Sequence, residues 1–345
     1  MSFTEKILSW HKTIDRELPW KNTKDAYKIW ISEIVLQQTR VQQGTKYYLN
    51  LVDAFPTVYD LADAEEDVLL RLWKGLGYYS RARNMHKAAK IIVEEYNGIF
   101  PDSKELIERL PGIGPYTSAA ISSFAYGLPH AVVDGNVYRV LSRMYGIFVP
   151  INSTTGKKEF ASLAQDLLDQ ERPAAYNQAI MDFGALCCRP KNPDCMFCPT
   201  QDICTAYQQG IVHELPKKEK KLKRRRRYFI SCVSISQGKV IIEKRLEKDI
   251  WRGLYTTPLI ECESIPDFDR AKEIITENIN VSKESISYIS DKNQKLTHQD
   301  VHVSFYSIQI GTISSDQVYI DSVNYEDYAM PRIIDEFLID FLEME

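Results

Sequence analysis

A short segment rich in glycine and proline constrains the fold of this 345-residue chain more than any other feature. It reads Leu110-Pro111-Gly112-Ile113-Gly114-Pro115-Tyr116, and two glycines between two prolines are unlikely to continue a helix. The patterns on either side predict helices over residues 104–110 and 116–126. We therefore expect two helices joined by a hairpin. Its glycines allow backbone N–H groups to approach an anion next to a helix N-terminus, and a DNA phosphate is the natural candidate.

A single carboxylate follows the hairpin, in the segment Val132-Val133-Asp134-Gly135-Asn136. Asp134 comes after two apolar residues and before a helix predicted over residues 137–145. Taken alone, hairpin and carboxylate fit a helix–turn–helix with an N-capping aspartate equally well.

A second carboxylate lies within an apolar helical pattern. Residues 26–40 show a stripe with a period of 3.6 residues, and Glu33 is one position away from it. An acid flanked so closely by core residues is a candidate for partial burial and a raised pKa. The residues alone favour the alternative, an ordinary glutamate on the helix surface, because glutamate is rarely buried.

A glycine-tethered loop at residues 75–80 carries two adjacent tyrosines, Tyr78 and Tyr79. Exposed aromatic rings on a flexible loop are suited to stacking on bases. The alternative is that the rings pack against neighbouring helices.

Four cysteines with short spacings predict a metal site. Cys188, Cys195, Cys198 and Cys204 lie within 17 residues, separated by six, two and five residues. Reduced thiols at such spacings are rarely present for packing. Thiolate chemistry leaves either Zn²⁺ or an iron–sulfur cluster. Cys187 falls outside the spacing.

The composition changes after residue 227. Residues 1–227 carry 32 Lys and Arg against 26 Asp and Glu, whereas residues 228–345 carry 11 against 21. Only the first part could bind a polyanion by charge. A basic run at residues 217–227 predicts a linker over 216–227, which is either simply solvated or also contacts phosphates.

The second part of the chain predicts a separate α+β domain over residues 228–345. Alternation and β-branched content favour strands, and two segments favour helices. The strands are expected over residues 228–236, 239–245, 286–289 and 301–310, and the helices over residues 271–278 and 333–342. We expect an intracellular protein, because the N-terminus lacks a signal-peptide pattern and no apolar run reaches about 18 residues.

Taken together, these motifs resemble the adenine DNA glycosylase (MutY) family of the helix-hairpin-helix/Gly-Pro-Asp superfamily. The likeness rests on Trp30–Thr39, the Gly75–Tyr79 loop, the hairpin, the Asp134 segment and the four cysteines. It implies a mainly α helix-hairpin-helix glycosylase domain over residues 1–215. Cysteine spacing that matches this group implies one [4Fe–4S] cluster held by Cys188, Cys195, Cys198 and Cys204.

The resemblance also implies roles for individual residues. Glu33 matches the family's catalytic general acid, Asp134 the carboxylate that stabilises the sugar intermediate, and Tyr116 the position after the hairpin. Bifunctional relatives have lysine at that position, so tyrosine implies a monofunctional enzyme. Gln38 and Tyr78 match residues that probe the DNA helix beside the lesion.

Further residues complete the expected DNA-binding and adenine-binding sites. Hairpin glycines Gly112 and Gly114, together with Asn136, are expected to contact DNA. The resemblance places Lys21, Leu36 and Gln178 at the adenine pocket, where Lys21 and Gln178 replace the arginine and the acid that are common in the family.

The second domain resembles a Nudix-like domain that reads 8-oxoguanine. The Nudix hydrolase motif is absent from the sequence. Where the family often has Phe-Ser-His, this chain has Leu296-Thr297-His298. Thr297 keeps a hydroxyl and His298 a donor, so we expect both to contact the lesion.

The expected partner is double-stranded DNA with 8-oxoguanine:A or G:A mispairs. We expect the protein to be a monomer, to be located in the bacterial cytosol and not to bind a membrane. Two alternatives remain. One is a glycosylase of the same fold that removes mismatched thymine or oxidised pyrimidines, and the other is an inactive DNA-binding scaffold.

Overall fold

The computed structural model describes residues 1–219, 224–236, 239–309 and 317–342. The chain divides into two compact units, one comprising Met1–Ala64 and Ser80–Lys221 and the other Glu65–Tyr79 and Leu222–Glu345. The second unit therefore includes a segment from the N-terminal part of the sequence. Across the described ranges, no helix is long and apolar enough to cross a membrane.

Residues 1–219 form α-helices joined by short connections. Several helices begin with a side chain that accepts a hydrogen bond from a first-turn N–H group, as Ser2, Thr57 and Ser103 do. The helices are α1 (Phe3–His11), α2 (Ala26–Leu36), α3 (Val41–Ala54), α4 (Val58–Asp63), α5 (Glu66–Leu72), α6 (Ser80–Tyr96), α7 (Lys104–Arg109), α8 (Pro115–Tyr126), α9 (Gly135–Tyr145), α10 (Thr154–Leu167), α11 (Pro173–Leu186) and α12 (Thr205–Gln208).

The predicted hairpin is confirmed. Helix α7 ends at Arg109 and α8 begins at Pro115, the first helical position, where the missing N–H of proline costs nothing. The helical pattern over residues 26–40 was too long, because α2 ends at Leu36 rather than at residue 40. The turn after α2 matters for the site and is described below.

A hydrophobic core in the first unit packs α1, α9, α10 and α11 together. Its largest side chains include Ile7, Phe160, Tyr176 and Phe183, all essentially buried. Helix α9 contributes its apolar face to this core, so the residue at its N-terminus, Asp134, is held by a rigid element.

Within its described residues, the second unit contains two sheets and two further helices. The strands are β1 (Arg225–Val233), β2 (Ile235–Ser236), β3 (Lys239–Lys244), β4 (Tyr255–Thr256), β5 (Leu259–Cys262), β6 (Ser287–Lys295), β7 (Gln299–Ser307) and β8 (Gln317–Asp321). One sheet has the order β5-β1-β7-β6, with β1 and β7 parallel, and in the other β3 pairs with β2, β4 and β8. The helices are α13 (Phe268–Asn278) and α14 (Arg332–Leu342).

Alternate residues of β1 face two different cores, as the two-residue period of a strand requires. Phe229 and Val233 pack in the core that contains α14, whereas Ile230 and Cys232 pack in the core that contains α13. This confirms a mixed α and β region after the helical one.

The strand β1 begins at Arg225, three residues earlier than the composition indicates. Arg227 is buried, and its Nη2 lies 2.6 Å from Asp249 Oδ2 and 2.5 Å from Glu261 Oε2. The two carboxylates compensate the charge of the guanidinium, so a basic residue can be buried in the sheet at this position. Residues 220–223 of the basic run and residue 310 of the last predicted strand lie outside the described residues.

Helix α5 and the tyrosine loop after it belong to the second unit. The Lys244 ammonium group and the Tyr255 hydroxyl both bind the carboxylate of Asp67 on α5. Arg71 pairs with Asp327 at 3.0 Å. The chain segment that carries Tyr78 is thus joined by polar contacts to the C-terminal part of the sequence.

Candidate active site

A cavity of about 1120 Å³ in the first unit is bordered by α2, the hairpin, the start of α9 and one side of α11. It brings together most of the residues that the sequence predicts as a site. These are Lys21, Glu33, Leu36, Gln38, Gly114, Tyr116, Asp134, Asn136 and Gln178. Gly112, Tyr78, Thr297 and His298 are not among its lining residues.

Glu33 is buried in this cavity, with only 6% of its surface exposed. Desolvation raises the pKa of Glu33 to about 7; the Tyr116 hydroxyl lowers it by a hydrogen bond, and the charge of Asp134 raises it. The interpretation of Glu33 as an ordinary surface glutamate is therefore wrong. The Glu33 carboxyl therefore keeps its proton at far higher pH than an ordinary glutamate does.

Asp134 is the N-cap of α9 and is far better supplied with donors. The backbone N–H groups of Asn136 and Val137 each lie 2.8 Å from Asp134 Oδ1, and Asn136 Nδ2 lies 2.7 Å from Oδ2. Burial raises the pKa of Asp134 above its ordinary value, although these hydrogen bonds and the charge of Arg139 lower it in part. The cavity thus contains one carboxyl that holds a proton readily and another whose ionised form is stabilised by donors.

Tyr116, in the first turn of α8, connects the hairpin with the catalytic glutamate candidate. Desolvation and the charges of Glu33 and Asp134 raise the pKa of Tyr116 well above its ordinary value, so the phenol keeps its proton. Its hydroxyl donates to Glu33. A protonated phenol beside both carboxyls can donate a hydrogen bond but cannot act as an amine nucleophile.

The rim of the cavity contains a buried carboxylate with three basic partners. Asp182 on α11 accepts hydrogen bonds from His11 Nε2 at 2.9 Å, from Lys21 Nζ at 2.7 Å and from Arg16. Burial raises the pKa of Asp182, but its partners outweigh this and hold the pKa well below the usual range. Lys21 is therefore held against α11, one turn from Gln178.

Arg139 joins the start of α9 to the cysteine segment. Its Nη2 lies 2.8 Å from Asn136 Oδ1 and 2.7 Å from the Gly184 carbonyl oxygen, and its Nε lies 2.8 Å from the Cys188 carbonyl oxygen. A Cβ atom added at Gly184 would come within 2.7 Å of Asn136 Cβ. Close approach of α11 therefore fixes the side chain that binds Asp134.

Two backbone positions at the hairpin and after α2 are unusual. Gly112 has φ +79°, and an added Cβ would lie 2.8 Å from Asn84 Cβ, so glycine is required here. Gln38 has φ +58°, which is uncommon for a residue with a side chain. Such strain is often found where a side chain has a functional position.

The second unit brings together the other three predicted DNA-contacting residues that carry side chains. Thr297 and His298 form the tip of the hairpin between β6 and β7, and the Tyr78 hydroxyl contacts that of Thr297. Tyr78 is 44% exposed and has φ +49°. Leu296, the first residue of this turn, is partly buried and packs against the core.

The four spaced cysteines line one small apolar cavity of about 30 Å³, together with Cys187. Arg143 Nη1 lies 3.4 Å from Cys188 Sγ, and its Nε lies 3.1 Å from the carbonyl oxygens of Val212 and Leu215. Among the described residues, no three His, Cys, Asp or Glu side chains are grouped as a single metal ion requires.

Comparison with known proteins defines the class. Residues 31–169 match the model of the HhH-GPD superfamily of base excision DNA repair proteins. A thermostable thymine-DNA glycosylase is 30% identical in sequence, with a TM-score of 0.56, and the match covers 60% of this chain and 95% of that one. A structure of an endonuclease III–DNA complex is 22% identical, with a TM-score of 0.52 over 61% of this chain and 99% of that one, and supports the same fold.

Curated relatives define the family within this class. An adenine DNA glycosylase from Buchnera aphidicola (Schizaphis graminum) is 34% identical over 97% of both chains. The adenine DNA glycosylases of mouse and human are 42% and 41% identical over 62% of this chain, which corresponds to 44% and 41% of their own lengths. The chain therefore belongs to the adenine DNA glycosylase family and is a DNA repair enzyme.

Sequence reasoning did not identify Asp182, Arg139 or Arg143 as part of the site. A signal was present, because all three are charged residues in helices whose other residues are mostly apolar. The pattern indicates burial with a partner but not the partner's identity, which depends on contacts between distant segments.

Proposed function

We propose that this protein excises adenine paired with 8-oxoguanine or G in duplex DNA and leaves the DNA backbone intact. The observation that carries the proposal is the pair of carboxyls in one cavity, the buried Glu33 and the partly buried Asp134, with different donors around them. The family of the chain supports adenine as the base that is removed.

The chemistry follows from the two carboxyls. Adenine leaves more readily once a ring nitrogen is protonated, and Glu33, with a pKa of about 7, is the proton donor. Loss of the base gives an oxocarbenium-like sugar, which the ionised Asp134 stabilises by its charge or by a transient bond. Glu33, now ionised, then takes a proton from the attacking water. Tyr116 donates a hydrogen bond within this group.

Position 116 predicts the fate of the strand. A lysine there could form a Schiff base with the sugar and promote backbone cleavage, whereas the Tyr116 phenol cannot. We therefore expect an abasic product in an uncut strand. Strand scission without alkali or heat, together with a borohydride-trapped adduct to a native lysine, would contradict the monofunctional mechanism.

DNA handling is divided among the remaining candidate residues. The hairpin amides around Gly112 and Gly114 hold a phosphate, and Asn136, which lines the cavity as Gly114 does, also contacts the DNA. The target adenine must leave the base stack, and Gln38 probes the space beside it. Lys21, Leu36 and Gln178 surround the extruded base at the cavity wall.

Recognition of 8-oxoguanine belongs to the second unit. Tyr78, Thr297 and His298 come from two distant segments but belong to this one unit, and each has a ring, a hydroxyl or a donor suited to a modified base. We assign residues up to 215, apart from the 65–79 segment, to base excision and residues 228–345 to reading the lesion, with residues 216–227 connecting them.

The cysteines suit one [4Fe–4S] cluster ligated by Cys188, Cys195, Cys198 and Cys204. The buried guanidinium of Arg143 contacts a thiol sulfur and carbonyl oxygens, which carry no full negative charge. The thiolates of a bound cluster would supply the opposite charge. The cluster would organise the loop rather than react with the sugar.

Two measurements test these proposals. Single-turnover assays compare duplexes with A opposite 8-oxoguanine, A opposite G, and T opposite G, and we expect fastest release of adenine opposite 8-oxoguanine. Thymine release with inert adenine would favour the second candidate, a mismatch thymine glycosylase, which the 30% identical thymine-DNA glycosylase structure supports. Iron and sulfide analysis should give about four of each per chain, whereas stoichiometric zinc in a native preparation would contradict the cluster.

A further inference from the structure

The turn that follows α2 needs a partner for its backbone. Helix α2 ends at Leu36, and its last residues, Glu33-Ile34-Val35-Leu36, include neither a glycine nor a basic side chain. The final carbonyl groups of a helix have no acceptor role within the helix itself and must be satisfied from outside. The same helix carries Glu33 three residues before its end.

Arg81 provides these contacts from the first turn of α6. Its Nη1 lies 2.9 Å from the carbonyl oxygens of Ile34 and Val35 and 2.6 Å from that of Gln37. Only 9% of the Arg81 surface is exposed. A buried guanidinium at a helix C-terminus is also favoured by the helix dipole.

The same guanidinium reaches both neighbours of Gln38. Besides the Gln37 carbonyl, it lies 3.4 Å from Thr39 Oγ1 through Nη1 and 3.5 Å through Nη2. The Gln37 carbonyl belongs to the peptide plane that precedes Gln38, so its direction sets φ at Gln38. Arg81 therefore holds the plane that gives Gln38 its φ of +58°.

We propose that Arg81 is a positioning residue that keeps Gln38 in its left-handed conformation, directed for contact with DNA. The proposal rests on the proposed role of Gln38 as the residue that probes the helix. Arg81 itself contacts neither the base nor the sugar and acts only through Gln38. Without it, Gln38 relaxes to an ordinary backbone conformation and its side chain no longer points to the same place.

A double-mutant cycle on the full-length holoenzyme tests this idea. Arg81→Met removes the guanidinium, and Gln38→Gly removes the probe while adopting a positive φ without cost. We expect Arg81→Met to slow adenine release opposite 8-oxoguanine by about tenfold to a hundredfold at saturating enzyme. In the Gln38→Gly background, Arg81→Met should change the rate by less than about twofold, because the position it controls no longer carries a side chain.

Two controls separate positioning from general stability. Met85→Ala shortens a buried side chain one turn later on α6 and should lower thermal stability without the same loss of rate. Arg81→Lys, which keeps the charge but not the fork of donors, should fall between Arg81→Met and the unmodified protein. The pH midpoint of excision should stay unchanged in Arg81→Met, because Glu33 keeps its surroundings.

Distinct outcomes contradict the inference and the function. The positioning role is wrong if the double variant loses as much rate as the product of the losses in Arg81→Met and Gln38→Gly. It is also wrong if Met85→Ala, at the same thermal stability as Arg81→Met, slows adenine release equally. A shifted pH midpoint would also overturn it, since Arg81 would then act through Glu33. If Gln38→Gly alone leaves excision and DNA binding unchanged, the probing role of Gln38 fails first.

Discussion

The cavity that we propose for catalysis in the first unit and the hairpin tip of the second unit place their polar groups in opposite surroundings. In the cavity, Glu33 and Asp134 are taken out of water and depend on a few fixed donors for their charge state. At the tip, His298 is exposed and Thr297 is half-buried. Chemistry needs desolvated groups with altered pKa values, whereas reading a base needs accessible donors. Changes in the cavity should therefore have much larger effects than changes at the tip.

The largest expected effect is on catalysis. Glu33→Gln removes the proton donor, and Asp134→Asn removes the negative charge while its amide oxygen can still cap α9. Each should slow adenine release by about 10² to 10⁴-fold in single-turnover assays. Glu94→Gln, an exposed residue on α6, is the matched control and should be silent. A loss of less than tenfold at Glu33 would remove it from the mechanism.

The next effect concerns stability: the substitution Glu33→Gln, which should lower the rate of excision, should increase the stability of the folded protein. Burial raises the pKa of Glu33 from 4.5 to about 7. The folded protein therefore loses stability as the pH rises above 4.5, the pKa in the unfolded state, and this loss is complete above a pH of about 7. Glu33→Gln should therefore stabilise the protein at pH 8 by on the order of 3 kcal/mol, and much less at pH 4.5. Urea unfolding at both pH values measures this. Equal stability changes would contradict a buried, uncharged glutamate.

A third, smaller effect is the pH profile of excision. If Glu33 is the acid, as we propose, its protonated form is the active one, so the single-turnover rate should be flat below its pKa of about 7 and fall by about tenfold per unit above it. The same measurement on Glu33→Asp keeps the carboxyl but moves it, and should keep a falling profile at a lower rate. A rate that rises with pH through 7 would show that Glu33 is not the acid.

The smallest effects belong to the hairpin tip. Thr297→Val removes the hydroxyl and His298→Ala removes a donor, and each lost hydrogen bond is worth about 1 kcal/mol. Each should reduce the preference for 8-oxoguanine over G by about fivefold and leave excision opposite G unchanged. Ser290→Ala on β6, away from the tip, serves as the control. An equal loss opposite both bases would place these residues in general DNA binding.

Truncation at residue 215 cannot separate the effect of the hairpin tip from the effect of the segment that carries Tyr78. It removes the tip, but it also removes Lys244, Tyr255 and Asp327, which bind the segment that carries Tyr78. A loss of 8-oxoguanine preference in that variant would thus combine two causes. Point substitutions at Thr297 and His298 keep the segment in place and isolate the tip.

Local sequence rules determined several parts of this protein without a structure. The two prolines and two glycines end one helix and start the next, Asp134 caps the helix that follows it, and the cysteine spacing predicts a shared site. These features depend on residues that are close in sequence. Backbone geometry and short-range hydrogen bonds are enough to define them.

Tertiary structure alone decided the properties on which function depends. Glu33 looks like a surface residue from its own helix, and only burial beside Tyr116 and Asp134 raises its pKa. Near the end of helix α2, the carbonyl groups of Ile34 and Val35 are bound by Arg81, which comes from another helix. Tyr78 joins the second unit through contacts made more than 150 residues later in the chain, as those of Asp67 with Lys244 show. Desolvation and long-range hydrogen bonds depend on which segments meet, and no local pattern contains that information.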